Sequence, residues 1–126
     1  MEFKLRSGLS IVASSWGSEL DPLVILMHGG GQTRHAWGNT GEVLGLSGFH
    51  VLAIDLRGHG DSDWHPDGDY SIDAYKADLV SILNQLGKPA SIVGASLGGM
   101  VAFSLAGDLE NRELVNALVM VDIGLY

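Results

Sequence analysis

Ile92-Val93-Gly94-Ala95-Ser96-Leu97-Gly98-Gly99 is the stretch on which the fold turns. A short apolar run leads into a G-x-S-x-G, and a segment of small and apolar residues follows, so a buried strand passes directly into a helix at Ser96. So sharp a turn requires small residues two positions before and two after the serine, and Gly94 and Gly98 meet that requirement. A helix beginning at Leu97 aims its N-terminal amides and positive dipole end at the turn. There the N–H of Leu97 can hydrogen-bond an oxygen that gains negative charge. The plainer alternative is a serine that merely caps a helix, and the strand-before, helix-after context favours the elbow. A dinucleotide-binding turn, and with it a nicotinamide-dependent oxidoreductase, is the other competitor. It needs a further glycine two residues after Gly98, where this chain has Met100, and it normally follows a first strand.

Outward from the elbow, apolar runs alternate with amphipathic stretches, with no internal repeat and no low-complexity segment. Residues 23–27 are apolar at every position, as a strand covered on both faces should be, and end at His28-Gly29-Gly30-Gly31. Glycines there let the main chain approach a substrate and turn its N–H groups inward, although a plain turn is the simpler reading of that run alone. Residues 3–6 and 9–14 predict a hairpin turning at Ser7-Gly8, and residues 50–54 predict a second buried strand. A helix of uncertain limits follows Thr33, weakened by Gly38, Gly41 and Gly45. After a polar loop over residues 55–70, Ser71 caps a helix running to Leu86, whose apolar residues recur at helical spacing and which Gly87 and Pro89 close. Residues 90–93 predict a strand, 97–109 a helix and 117–121 a last strand. Strands separated by helices imply a mostly parallel sheet with right-handed crossovers and helices on both faces.

The chain has 126 residues with a net charge of −8, from 15 acidic against 7 basic side chains. That balance repels nucleic-acid phosphates and anionic membrane surfaces. The acids between Asp55 and Asp78 read as a solvated loop leading into a helix, because they lack the glycine and glutamate positions of a calcium loop. No cysteine is present, which leaves no thiolate nucleophile or cysteine metal site, and glycine is doubled, at 18 residues, relative to an average of roughly 7%. No apolar run approaches the ~20 residues of a membrane span and no signal segment opens the chain. The expectation is a soluble, cytoplasmic protein acting on a small-molecule substrate.

Three motifs, in order, resemble the α/β-hydrolase family: His28-Gly29-Gly30, the loop Asp55-Leu56-Arg57-Gly58-His59-Gly60-Asp61-Ser62, and Gly94-Ala95-Ser96-Leu97-Gly98. The loop reproduces the family's Asp-x-Arg-Gly-x-Gly-x-Ser, and the resemblance spans essentially the whole chain. It implies Ser96 as nucleophile, the Leu97 amide as one oxyanion donor and Gly30 as the other, with Gly31 as second choice. It implies no metal or organic cofactor. Aspartate is the nucleophile of the family's epoxide hydrolases and haloalkane dehalogenases, so Ser96 points instead to acyl transfer on a small ester, thioester or lactone. Trp37 and Trp64 are candidates for the pocket wall, against the alternative of ordinary core or surface aromatics.

A serine needs a histidine base and an acid to orient it, in the family order nucleophile, acid, histidine. All five histidines, at 28, 35, 50, 59 and 65, precede Ser96. Asp122, at the end of the last predicted strand, is the acid candidate, with a capping role as its alternative. Residues 1–126 are therefore expected to form a partial α/β-hydrolase domain lacking the last strands and the cap, truncated and inactive as it stands. From another functional class, the same scaffold could serve as a non-catalytic binding module, its exposed sheet edge favouring self-association.

Overall fold

The computed structural model describes residues 1–121. Its elements run β1 (Glu2–Lys4), β2 (Ser10–Trp16), β3 (Leu23–Met27), a 3-10 turn (Arg34–Trp37), α1 (Gly38–Leu46) and β4 (His50–Ile54). They continue with α2 (Ile72–Leu86), β5 (Ala90–Ala95), α3 (Leu97–Ala106), a second 3-10 turn (Arg112–Leu114) and β6 (Val115–Val121). The six strands form one mixed sheet in the order β1-β2-β4-β3-β5-β6. β1 and β2 pair antiparallel, as does β2 with β4, while β3, β4, β5 and β6 run parallel. Among the described residues no helix is long and apolar enough to cross a membrane.

β3 and β4 are buried at every position, which explains their unbroken apolar runs. One face of β3 and β4, with Ile25, Met27, Leu52 and Ile54, joins Leu79, Ile82 and Leu83 of α2 and Val101 and Leu105 of α3 in the main core. The other face, with Val24, Leu26, Val51 and Ala53, packs against Leu44 of α1 and against Trp16 and Trp37. The helices thus cover both faces. Following β3, the chain adds β4 on one side and then crosses to place β5 on the other, which makes the carboxyl end of β3 a topological switch point where clefts form. Met27 is in register with both Ile54 and Gly94, so the three strand ends are level and deliver His28, Asp55 and the Ser96 turn to one rim.

Several bounds differ from the sequence expectations for identifiable reasons. β5 continues through Gly94 to Ala95, and β6 begins at Val115 to follow it. α3 stops at Ala106, and the Asp108 carboxylate takes the next turn by accepting from the Glu110 N–H and the Asn111 side chain. The helix after Thr33 splits into a 3-10 turn, capped by the Thr33 side chain, and α1. Two of the three glycines of α1 have a packing role: a Cβ on Gly41 would overlap the Trp16 ring, and one on Gly45 would lie 2.8 Å from the Trp16 Cβ, whereas one on Gly38 would meet nothing within 4 Å.

The 55–70 loop is tied down by buried polar contacts. Asp55 accepts from the backbone N–H of Arg34 (2.6 Å) and of Asp61 (2.9 Å) and pairs with the Arg34 guanidinium. Burial pushes the Asp55 carboxyl up, but those hydrogen bonds outweigh it and hold the group below its ordinary range. Arg57 grips Asp78 of α2 with two hydrogen bonds, of 2.7 and 2.6 Å, and donates to the Asp69 carbonyl. The Ser62 hydroxyl donates to the Asp55 carbonyl and accepts from the Val12 N–H. His28 has no exposed surface, accepts from the Leu56 N–H, and has its pKa lowered, first by burial.

Two outcomes follow from this packing. Helix propensity alone predicts that Gly41→Ala stabilises the fold by about 1 kcal/mol, whereas the overlap with Trp16 predicts a net loss of about 1–3 kcal/mol in urea denaturation; unchanged or increased stability would contradict the packing account. For pH, the folded-state pKa values of His28 and Asp55 both lie below the unfolded ones, so each contributes stability above its unfolded pKa that is lost as pH falls. Unfolding free energy should begin to fall below pH 6.5 as His28 and His50, both lowered chiefly by burial, are protonated in the unfolded chain, and fall further below pH 3.8 through Asp55. In His28→Asn the first of these declines should become shallower, and an unaltered decline would assign it to another group.

Candidate functional site

β5 carries the chain to the level rim and α3 leaves from it, with a single residue to reverse direction. Ser96 makes that turn at φ 49° and ψ −111°, the one non-glycine residue with positive φ among those described. Its side chain is exposed above the strand ends. Such backbone costs about 1–3 kcal/mol and persists only where its surroundings over-determine it. Here the Ser96 N–H donates to the Val121 carbonyl (3.1 Å), and the Ser96 carbonyl accepts the Met100 N–H (3.0 Å), the first bond of α3. A Cβ on Gly94 would lie 2.5 Å from the backbone of Gly98 and Gly99, and one on Gly98 would lie 2.5 Å from the Met27 carbonyl oxygen. The two glycines are small because strand, helix and neighbouring strand meet at backbone contact.

The glycine run after β3 lies against the elbow. The Gly98 N–H donates to the His28 carbonyl at 3.2 Å. A Cβ on Gly29 would stand 3.4 Å from the Ser96 Cβ, and one on Gly30 would stand 3.9 Å from the Leu97 side chain. Among the described residues the N–H groups of Gly30 and Leu97 donate to no protein acceptor, which leaves two main-chain donors beside an exposed hydroxyl. Gly31, the second choice for that donor, differs from Gly30 in that its N–H donates to His59 Nε2 at 3.0 Å. The Gly29 N–H is likewise taken, by the Gln32 side-chain oxygen at 3.1 Å.

The two tryptophans sit where the alternative of ordinary core and surface aromatics would put them. Trp37 packs against the Val24, Leu26, Val51 and Ala53 face of the sheet, with its Nε1 buried and unpartnered among the described residues. Trp64 is 72% exposed in the 55–70 loop, and no described contact joins it to Ser96. Asp122 lies outside the described residues. A cavity of about 310 Å³ beside α2, lined by Leu5, Arg6, Arg57, Lys76, Asp78 and Asn111, contains none of the expected site residues.

No described contact joins a histidine to Ser96, and the two histidines nearest the rim are engaged at both ring nitrogens. His28 Nδ1 donates to the Gly29 carbonyl (2.7 Å) and its Nε2 accepts from Leu56, while His59 Nδ1 donates to the Arg57 carbonyl (3.0 Å) and its Nε2 accepts from Gly31. Their rings lie 4.8 Å apart between centroids. His50 opens β4, so it sits one strand length, about 16 Å, from the rim. His65 Nδ1 accepts from the Asp67 N–H, and His35 is exposed in the 3-10 turn. Sequence reasoning missed Gln32, Arg34 and the His59–Gly31 contact. Arg34 had one available signal, a lone cation facing an acidic loop, whereas Gln32 and His59 had none.

The comparisons with known proteins agree with this geometry. The chain is 43% identical over 115 residues to an esterase of Mycobacterium tuberculosis, a match that covers 90% of this chain and 37% of the relative. It is 36% identical over 104 residues to an sn-1-specific diacylglycerol lipase of Mus musculus, covering 81% of this chain and 33% of that one. Among solved structures, an epoxide hydrolase from Vigna radiata superposes with a TM-score of 0.90 over 100% of this chain and 40% of its own, at 23% identity, a likeness of fold alone. The chain thus spans well under half the length of these proteins. The family model for the alpha/beta hydrolase fold matches residues 22–125, from the start of β3 through the elbow and β6, and the chain belongs to that family.

Proposed function

We propose that this chain carries the nucleophile and oxyanion hole of a serine hydrolase that cleaves a small ester or related carbonyl compound through an acyl-enzyme. The observation that supports it best is the exposed Ser96 hydroxyl on left-handed backbone beside the uncommitted amides of Gly30 and Leu97. The Ser96 oxygen attacks the carbonyl carbon, the carbonyl electron pair moves onto oxygen, and the Gly30 and Leu97 N–H groups receive that negative charge. The histidine base takes the Ser96 proton during attack and gives it to the leaving group as the tetrahedral species collapses, and water then releases the acid by the reverse sequence. Both donors are backbone groups in a rigid turn, so they need little reorganisation when charge develops. The esterase and lipase names of the relatives above support the same acyl chemistry.

In this reading residues 1–126 are part of a larger hydrolase domain, Asp122 is the candidate acid, and the histidine base belongs to sequence beyond these residues. The histidine contacts just described support that division, as does the 37% share of the esterase that the chain matches. Without a base the oxyanion hole and binding act alone, and turnover falls by about 10⁶. A second reading, the scaffold as a non-catalytic binding module, is favoured by the same lack of a histidine contact at Ser96 among the described residues. The β6 edge, where Val119, Met120 and Val121 are exposed, supports strand pairing with a second copy in either case.

Prolonged incubation with a fluorophosphonate, followed by peptide mass spectrometry, separates the two readings. The hydrolase reading predicts slow stoichiometric modification at Ser96 and none in Ser96→Ala. Modification of the variant equal to that of the parent would remove Ser96 as nucleophile, and no modification of either, repeated on a version extended to include the histidine base, would favour the binding module.

A further inference from the structure

Three consecutive glycines, Gly29 to Gly31, form the loop that offers the Gly30 N–H. Glycine peptides rotate with little steric resistance, and a flipped Gly29–Gly30 peptide would present a carbonyl oxygen where a donor is needed. Gln32 closes the turn from within, its N–H donating to the Gly29 carbonyl at 3.1 Å and its side-chain oxygen accepting from the Gly29 N–H at 3.1 Å, and contacts from outside the loop add to that hold. We propose that His28 and His59 are the positioning residues of the Gly30 donor, each in its Nδ1–H tautomer and each gripping one side of the glycine run. The donor's catalytic role rests on the serine hydrolase reading; the clamp does not.

The tautomers follow from the partners. The Leu56 N–H can only donate, so His28 Nε2, 3.0 Å away, accepts, and the ring proton sits on Nδ1 and is given to the Gly29 carbonyl at 2.7 Å. The Gly31 N–H in the same way requires His59 Nε2 to accept, and the His59 Nδ1–H goes to the Arg57 carbonyl. The Gly29 carbonyl and the Gly30 N–H belong to one planar trans peptide and point in opposite directions. Because His28 holds that carbonyl inward, at a ring with no exposed surface, the Gly30 N–H is turned outward to the side where Gly30 and Ser96 are exposed. His59 fixes the next peptide through the Gly31 N–H, so the pair secures the planes on both sides of the Gly30 α-carbon. The rings touch at 4.8 Å with their planes inclined by 52°, and the far side of each is anchored to the 55–70 loop through Leu56 and Arg57. That loop therefore reaches the site through two imidazoles.

The experiment has two readouts. In the 15N-labelled chain at neutral pH, long-range proton–nitrogen spectra should show His28 and His59 protonated on Nδ1 and bare on Nε2; an Nε2–H tautomer at either ring overturns the clamp, whatever any variant does. The second readout is binding of benzeneboronic acid, which adds to a serine hydroxyl as a tetrahedral anion, followed at the Gly30 amide resonance. His59→Leu removes the acceptor and should weaken binding about tenfold or more and abolish the Gly30 shift. His59→Gln, whose side-chain oxygen can accept from Gly31, should stay within about threefold of the parent. Parent-like binding and an unchanged Gly30 shift in His59→Leu, or equal losses in both variants, would refute the clamp. Parent-like binding in Ser96→Ala would instead refute the serine hydrolase reading and leave the tautomer measurement to judge the clamp.

Discussion

The contact on which the rest of the site depends is the one between Gly98 and the last carbonyls of β3. The Gly98 N–H donates to the His28 carbonyl, and the position of an added Cβ falls 2.5 Å from the Met27 oxygen, so α3 starts as close to β3 as main chain allows. Because β3 and β5 end level, the chain cannot spread its reversal over several residues, and Ser96 takes the strained conformation alone. The strain is held by Val121 on one side and by the first turn of α3 on the other. Hydroxyl, helix N-terminus and glycine run then share one rim as a consequence of sheet register.

Around that rim the motif Asp-x-Arg-Gly-x-Gly-x-Ser divides its work. Asp55 organises the turn at Arg34, Arg57 locks the loop to α2 through Asp78, Ser62 closes it onto β2, and His59 reaches the glycine run. Buried ion pairs such as Arg57–Asp78, with side chains 4% and 7% exposed, recover little net free energy after desolvation, yet losing one partner costs about 3–5 kcal/mol. Their contribution is therefore definition rather than surplus stability. A long polar loop that would otherwise wander is held to one conformation, and the glycine run beside the elbow inherits that order.

How much of this was legible beforehand depends on the range of the interaction. The bounds of α2 were readable because Ser71 and the left-handed Gly87 are local signals, and β3 and β4 because continuous apolar runs encode burial on both faces. The elbow was readable because its glycines are dictated by backbone within a few residues. The partners of Asp55 and of Gly31 lie 21 and 28 residues away, and no periodicity announces them. The packing role of Gly41 and Gly45 in α1 is not legible locally, because it resides in Trp16, on another element. Trp37 illustrates the same limit: its place after the glycine run leaves a pocket wall and a core aromatic both open, and its packing against the second face of the sheet is set by residues on other strands.

The central claim is that Ser96, Gly30 and Leu97 form one reacting centre. Its most direct test is a crystal structure of the chain modified by a fluorophosphonate. The account predicts phosphorus bonded to the Ser96 oxygen, with the phosphoryl oxygen about 2.7–3.1 Å from both the Gly30 and Leu97 nitrogens. A phosphoryl oxygen turned to solvent, or a Gly29–Gly30 peptide whose carbonyl faces the adduct, would contradict it.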